Sequence, residues 1–405
     1  MVKILSIETS CDETAVAIIE AEGDFKEATF TVLGDALYSQ APLHAPYGGV
    51  YPNLAKREHQ GNLAPLATQV LKASGLLNKK TDDTSTYENS LKNIRDEAFR
   101  NDVRTFLNAT EKPDVALIAV TRGPGLEPAL WTGINFAESL GRAWNIPVLG
   151  IDHMEGHIVS ALLGKGIVDS GQWTEKSEVL LQPKRYTLNT VHFPILALLI
   201  SGGHTEFVLM KEPFVYEHVG ATKDDAIGEA FDKVARLLEL PYPGGPEIAA
   251  SALRARERGE DSGITFPRPM AHDDTCDFSF SGLKTAVLYK LRSMDKLEEH
   301  DKEQIAEAFE NAARDVVVIK TKRALEITKP KILAVGGGVS ANREIRRALT
   351  ELVNDSFGEV TLAFPDSSLT GDNAIMIGVA GYLRHAGGMS KTSDLSALGN
   401  LKLGE

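Results

Sequence analysis

The sequence predicts an α/β protein of two lobes, and three widely separated turns carry the prediction. Residues 4–19 read as a strand, a polar turn centred on Thr9-Ser10-Cys11-Asp12-Glu13, and a second strand. That is a β-hairpin with hydroxyls and carboxylates at its tip. Residues 194–209 repeat the design, with Ser201-Gly202-Gly203-His204-Thr205 at the bend. Residues 332–342 pass from a strand through Gly336-Gly337-Gly338 towards a helix over 343–351. A glycine run of this kind lets backbone approach a ligand closely, and the helix N-terminus behind it suits a phosphate or ribose. Strand and helix signals alternate within each half, as an α/β architecture requires.

The first lobe is expected over residues 1–164, the second over 193–371, with 165–192 as an insertion or linker and 372–405 packing back on the first lobe. A helix over 301–328 places Ile305, Phe309, Ala312, Val316, Ile319 and Leu325 at helical spacing, a core stripe. At 405 residues and 43% hydrophobic content the chain can bury two sizeable cores. Two cysteines give no disulfide framework, and Cys11 reads as a small buried side chain. Met1-Val2-Lys3 leads directly into a strand, leaving no room for a targeting peptide. No stretch approaches the ~20 apolar residues of a membrane span, so a soluble, cytoplasmic protein is expected.

The net charge of −13 speaks against an autonomous nucleic-acid binder, which would present a basic footprint. The local clusters Lys320-Thr321-Lys322-Arg323 and Arg343-Glu344-Ile345-Arg346-Arg347 read as solvated helix faces. No basic motif interleaved with aromatics is evident.

Asp152-His153-Met154-Glu155-Gly156-His157 sets two imidazoles at i and i+4, on one helix face, where both can reach one divalent metal. A zinc peptidase would place its general-base Glu directly after the first His. Here Glu155 lies two positions on, roughly 200° around the helix from His153 at about 100° per residue. The spacing supports a metal site and not peptidase chemistry. A bare histidine pair more often belongs to a core or surface, so the pair needs corroboration.

The two hairpins and the glycine run resemble the phosphate and adenosine loops of the fold shared by actin, sugar kinases and heat-shock chaperones. The match narrows on IETSCDET at 7–14, PYGGVYPNLAKREH at 46–59, RGPGLEPALWTG at 122–133 and HMEGH at 153–157. It continues through LISGGHTEF at 199–207, DDAIGEAFDKVARLLELPYPGGP at 224–246, FPRPM at 266–270, FSFSGLKTA at 278–286, GGGVSAN at 336–342 and GDNAIMIG at 371–378. In this order, over nearly the whole chain, the motifs resemble the TsaD family of tRNA threonylcarbamoyladenosine synthases.

The resemblance implies two actin-like (ribonuclease H-like) lobes with a nucleotide and metal site in the cleft between them. It implies transfer of the threonylcarbamoyl group from threonylcarbamoyl-AMP to N6 of the adenosine 3′ of the anticodon, in tRNAs reading codons that begin with A. That donor is already activated, so no covalent nucleophile is needed, only a Lewis acid and fixed donors for the adenylate. His153, His157 and Asp372 would hold one divalent metal per subunit, Fe²⁺ in preference to Zn²⁺. Leu199, Ile200, Ser201, Gly202 and Gly203 would contact the donor's phosphate and acyl portion. Asp232 and Gly245 would hold the ribose, and Asn342 the adenine side. Glu13 is a candidate general base, unless its carboxylate only caps the turn. Expected partners are tRNA, a smaller homologous subunit and an ATPase, with a homodimer also open. The competing functions are an ATP-dependent phosphotransferase of the same fold and a non-catalytic scaffold.

Three segments depart from the family pattern. Residues 79–110 and 164–191, the second containing Trp173, read as surface insertions, which loops tolerate at small cost; the second could cover the site or meet a partner. Gly371, rather than Thr, precedes Asp372-Asn373.

Overall fold

The computed structural model describes residues 1–80, 87–165, 184–188, 191–259, 263–389, 391–392 and 395–404. In the first lobe, β1 (Val2–Glu8), β2 (Glu13–Glu22) and β3 (Thr29–Ser39) form an antiparallel meander. The short α1 (Ala41–His44), α2 (Pro52–Ala73) and α3 (Glu97–Ala109) follow. Then come β4 (Leu117–Gly123), α4 (Glu127–Trp144), β5 (Val148–Asp152) and α5 (His153–Ala161). β4 pairs parallel with β1, and β5 with β4. Two edge strands, β6 (Leu163–Lys165) and β7 (Arg185–Leu188), extend the sheet beyond β3.

The second lobe repeats the plan. β8 (Ile195–Ile200), β9 (Thr205–Glu212) and β10 (Val215–Ala221) form the meander, followed by α6 (Ile227–Leu237), α7 (Gly244–Arg258), α8 (Ser281–Arg292) and α9 (Glu299–Thr328). β11 (Ile332–Gly336), α10 (Arg343–Ser356), β12 (Thr361–Ala363) and α11 (Ala374–Ala386) complete the chain's regular elements. The strand orders are β5-β4-β1-β2-β3-β7-β6 and β10-β9-β8-β11-β12. Setting the edge pair aside, both lobes place the first strand at the centre, a meander on one side and two parallel strands on the other. This duplicated topology is that of two actin-like lobes.

Local chemistry explains the boundaries that matter for the site. Asp152 ends β5 and caps α5, its Oδ1 accepting from the N–H groups of Met154 (2.8 Å) and Glu155 (3.3 Å). Asn373 caps α11 by accepting from Met376 N (2.9 Å). Asp96 caps α3 by accepting from Phe99 N (3.0 Å). The long α9 starts where Asp301 accepts from Glu298 N (3.0 Å), half of a capping box.

Three apolar clusters fill the molecule. One lies between the sheet of lobe I and α2, α3 and α4; another between the sheet of lobe II and α6 to α10. The third joins the inner faces of both sheets through α5 and α11, uniting Ile4, Ile19 and Leu149 with Leu199, Val208 and Ala334. α11 lies across β1 and β2, and α5 touches β8 and β11 as well as β5.

Neither insertion is mere surface decoration. Phe99, Val103, Phe106 and Leu107 of α3 are buried in the lobe I core, so 79–110 adds structure and not only loop. Its ends close in a bridge between Lys79 and Thr110. The ends of 164–191 become β6 and β7, with Tyr186 and Leu188 in the central core; Trp173 and residues 180–183 lie outside the described residues. The clusters read as solvated basic faces are also largely engaged. Lys320 is fully buried, donating to Asp273 (2.5 Å) and to the Thr275 carbonyl (2.9 Å). Arg346 lies over the Phe364 ring and donates to Ser340 and Pro365 carbonyls, while Arg347 pairs with Glu344 and Glu351. Among the described residues, no helix is long and apolar enough to cross a membrane.

Phe99→Ala should therefore destabilise the protein by ~3–5 kcal/mol in urea unfolding, as a core Phe truncation does. A surface insertion would cost under ~0.5 kcal/mol, and that result would remove α3 from the core.

Candidate functional site

The cap of α5 aims its first residue, His153, and one turn later His157, at the start of α11. Their ring centroids are 4.7 Å apart and nearly perpendicular. Asp372 Oδ1 lies 3.3 Å from His153 Nε2 and 3.2 Å from His157 Nε2. The three ligand atoms fall within 4.8 Å of one another. Asp372 therefore reaches the cluster although Gly371 precedes it, helped by Asn373, whose Nδ2 donates to the Gly371 carbonyl (2.8 Å).

Behind His153 stands Glu8, fully buried at the end of β1. It accepts from His153 Nδ1 (3.1 Å), Thr121 Oγ1 (2.5 Å) and Ser10 N (2.5 Å). A carboxylate on Nδ1 fixes the tautomer that leaves the Nε2 lone pair free, the usual outer support of a metal-binding histidine. The donor set of two imidazoles and a carboxylate fits a divalent cation with open positions. Nδ1 of His157 is buried without a hydrogen-bond partner among the described residues.

The electrostatics reflect this crowding. Burial works against a charged His153, but Asp372 and Glu8 outweigh it and raise its pKa well above the ordinary imidazole value. Burial lowers that of His157. Burial would raise Asp372, yet the two imidazoles hold it well below the usual carboxylate range.

Glu155 points elsewhere, as its register requires. It is 0% exposed and accepts from Arg384 Nε (2.7 Å) and Nη2 (2.5 Å) and from the Tyr216 hydroxyl (2.9 Å). The Arg384 guanidinium also covers the Phe214 ring at 4.6 Å. Glu155 thus joins α5 to α11 and to β10 of the second lobe.

The other sequence-predicted residues surround the cleft unevenly. Leu199 and Ile200 are fully buried strand residues, so their side chains serve the core and only their backbone faces the turn. Ser201, Gly202 and Gly203 form that turn. Ser201 N donates to the His204 carbonyl (2.8 Å), whereas the N–H groups of Gly202 and Gly203 meet no acceptor among the described residues. Space beyond both glycines is open. The turn sits near the imidazole pair, since burial and the charges of His153 and His157 hold His204 down at about 4.

Asp232, half-buried on α6, accepts from Gly244 N (2.7 Å) at the start of α7. Burial raises its pKa over the opposing pull of the Gly244 and Gly245 N–H groups. Asn342 caps α10, accepting from Ile345 N (3.0 Å) and donating to the buried Glu310 (2.6 Å). These two contacts fix the position of its amide at the start of α10. The glycine run before it packs closely at its first two positions and is open at Gly338, where a Cβ would meet nothing within 4 Å. A Cβ on Gly336 would lie 2.7 Å from the His157 carbonyl oxygen, and one on Gly337 (φ +90°) 2.4 Å from that of Ile200.

Burial, with Asp372 and Asp12 beside it, pushes the Glu13 carboxyl well above the usual carboxylate range. Cys11 is partly exposed, not buried.

Residues that sequence reasoning passed over fix the first turn. His59 of α2 is fully buried, with Nδ1 bonded to Thr14 Oγ1 (2.7 Å) and Nε2 to the Cys11 carbonyl (3.0 Å). Gln40 N donates to the Asp12 carbonyl (2.9 Å). Glu8 and His59 both lie in quoted motifs, so the signal was a buried polar residue at a strand end and another on the apolar face of α2.

Fold and site together define a two-lobed protein with a candidate metal centre at the lobe junction. A family model described as "tRNA N6-adenosine threonylcarbamoyltransferase" (TsaD) matches residues 31–83, 104–170 and 176–379. The protein of that name from Burkholderia mallei (strain ATCC 23344) is 38% identical over 396 residues, covering 96% of this chain and 94% of its own. That from Burkholderia lata is 40% identical over 387 residues, covering 94% and 92%. Among solved structures, the ROK hexokinase from Thermus thermophilus aligns with a TM-score of 0.47 at 11% identity, covering 96% of this chain and 100% of that one. The chain belongs to the TsaD family of tRNA N6-adenosine threonylcarbamoyltransferases and is a transferase that modifies tRNA.

Two outcomes test the site's supports. Glu155→Gln leaves the Arg384 guanidinium without its counter-charge and should cost about 3–5 kcal/mol in urea unfolding; loss of peptidase activity as the sole effect would contradict this placement. His59 stays neutral in the fold, its pKa lowered by burial from 6.5 to about 4. Between those values the unfolded chain binds the extra proton, so stability present above pH 6.5 is lost as pH falls towards 4, by up to roughly 3 kcal/mol. The loss should shrink in His59→Gln when unfolding is followed at pH 7 and pH 4.5; an identical loss would place the acid sensitivity elsewhere.

Proposed function

We propose that this chain transfers the threonylcarbamoyl group from threonylcarbamoyl-AMP to N6 of the adenosine 3′ of the anticodon, in tRNAs reading codons that begin with A, and releases AMP. One divalent metal, Fe²⁺ in preference to Zn²⁺, would be held by His153, His157 and Asp372. The observation that carries this reading is the convergence of those three side chains, close enough to His204 to act on its charge, near the Ser201-Gly202-Gly203 turn whose Gly202 and Gly203 N–H groups meet no acceptor among the described residues.

When bound, the metal would supply Lewis acidity to an oxygen of the donor. The rest falls to the chain. The Gly202 and Gly203 N–H groups, with the N-terminus of α6 packed against Gly202, suit the donor's phosphate. Asp232 of α6, near enough to Asp12 of the first turn to feel its charge, and Gly245 of α7, with open space beyond it, suit the ribose. The N6 amine attacks the carbamoyl carbon, the bond from that carbon to the phosphate oxygen breaks, and AMP leaves with the electron pair. The amine's proton goes to solvent, to the departing phosphate or to the carboxylate of Glu13, the candidate general base. Action in the cytoplasm, on tRNA and with a smaller homologous subunit and an ATPase, or as a homodimer, belongs to the same proposal.

His153→Ala, His157→Ala and Asp372→Ala should each remove the bound metal and abolish modified nucleoside, measured by elemental analysis and mass spectrometry of tRNA digests. Glu8→Gln should weaken metal affinity by about 10- to 100-fold without removing a ligand. Full metal content and activity in any of the three alanine variants would sink the assignment.

A further inference from the structure

Most basic side chains singled out from the sequence are spent within the fold, which leaves open where an acidic chain meets a polyanion. One surface beside the cleft answers that need. Tyr47 and Tyr51 are 63% and 52% exposed, and their rings stack with centroids 5.7 Å apart and an interplanar angle of 23°. The segment is not a loose loop. Tyr51 N donates to the buried His44 Nδ1 (3.2 Å), and His44 Nε2 bonds Gln40 Oε1 (3.1 Å). Gln40 N in turn holds the Asp12 carbonyl in the first turn. From the other lobe, the Arg236 guanidinium of α6, one turn beyond Asp232, donates to the Gly48 carbonyl. The tyrosines thus form a fixed ledge tied to both walls of the cleft.

Tyr51 is also the N-cap of α2, and Asn53, Arg57 and Gly61 follow on its exposed face at i, i+4 spacing. Neither Lys56 nor Arg57 has an ion-pair or side-chain hydrogen-bond partner among the described residues. In a chain of net charge −13, two cations in the first two turns of α2, unpaired among the described residues and following two solvent-facing rings in the chain, suit a polyanion that also carries aromatic faces.

We propose that this ledge is where the tRNA substrate lies on the chain: an unpaired base stacks on the Tyr47 and Tyr51 rings, and adjoining phosphates meet Lys56 and Arg57, an assignment that rests on the tRNA-modifying reading above. To present N6 to the cleft, the target adenosine must leave its stack, which strips its neighbours of a stacking partner. An aromatic ledge at the rim replaces that contact, and does so without reading sequence.

The test uses the full chain with whatever subunits support transfer, a fluorescein-labelled anticodon stem-loop RNA, and anisotropy over a salt series. The pair Y47A/Y51A should weaken RNA binding by about tenfold or more at every salt concentration, whereas Y47F/Y51F, which keeps the rings, should bind as wild type. The pair K56Q/R57Q should weaken binding and flatten the dependence of log Kd on log salt by about 1 to 2. Unchanged melting temperatures will show that these exposed positions leave the fold intact. Wild-type RNA affinity in Y47A/Y51A, or loss of a protein subunit from the complex in place of RNA, would overturn the ledge while leaving the transferase reading standing. A wild-type chain that modifies no tRNA in any complex would instead remove the reading on which the ledge rests.

Discussion

Asp372 shared between the Nε2 atoms of His153 and His157, with Glu8 on the far nitrogen of His153, is the interaction on which the cleft depends. Two carboxylates and two imidazoles are buried together where each alone would be costly to desolvate. They tolerate burial because each compensates another, and the same proximity separates the imidazoles electrostatically. His153, flanked by both carboxylates, is drawn towards its charged form, while His157 is held towards the neutral one. The groups arrive from the end of β1, the start of α5 and the residue before the cap of α11. A displacement of any of these three elements would leave a buried charge unmatched.

The helix bearing the histidines has a second obligation that explains Glu155. A helix wedged between two sheets is buried on every side, and all nine residues of α5 are. A carboxylate there needs a partner, and Arg384 and Tyr216 supply it from α11 and the second lobe. One face of α5 therefore serves chemistry and the opposite face joins the lobes. A sequence pattern suggestive of a peptidase arises because both duties fall within five residues.

The legible part of this architecture was the part with local causes. The two hairpins, the long helix ending at Thr328 and the pairing of His153 with His157 follow from alternation and helical spacing, and the structure places them within a few residues of expectation. The α3 core was missed because a polar stretch with one amphipathic face resembles an insertion until α2 and α4 are seen to cover Phe99 and Phe106. Glu8 was missed because nothing local marks a strand-end carboxylate as the partner of a histidine 145 residues away. Asn342 has a local cause as well: an Asn before a helix is first of all an N-cap, and it caps α10. Of the basic clusters, Arg343 and Arg347 do lie on a solvated face, whereas Lys320 is buried, since sequence shows a cation but not the acidic partner it finds in Asp273.

The shared core also constrains how the cleft can work. If each lobe had a closed core of its own, the two could rotate about a hinge as units. Here Leu199 and Val208 of one sheet and Ile4 and Ile19 of the other belong to one apolar cluster threaded by α5 and α11. Opening the lobes would pull that packing apart and expose apolar surface at about 25 cal/mol per Å². The geometry at His153, His157 and Asp372 is therefore set by packing and needs no lobe closure to assemble. Adjustment to substrate falls to the turns at the rim, of which the 201–203 turn has no protein atoms opposite its glycines and the 45–51 turn is strapped to α6 by Arg236. A rigid cluster of His153, His157 and Asp372 with one open turn and one strapped turn at the rim suits the activated donor proposed above, because such chemistry asks the protein to hold and orient groups rather than to create a nucleophile.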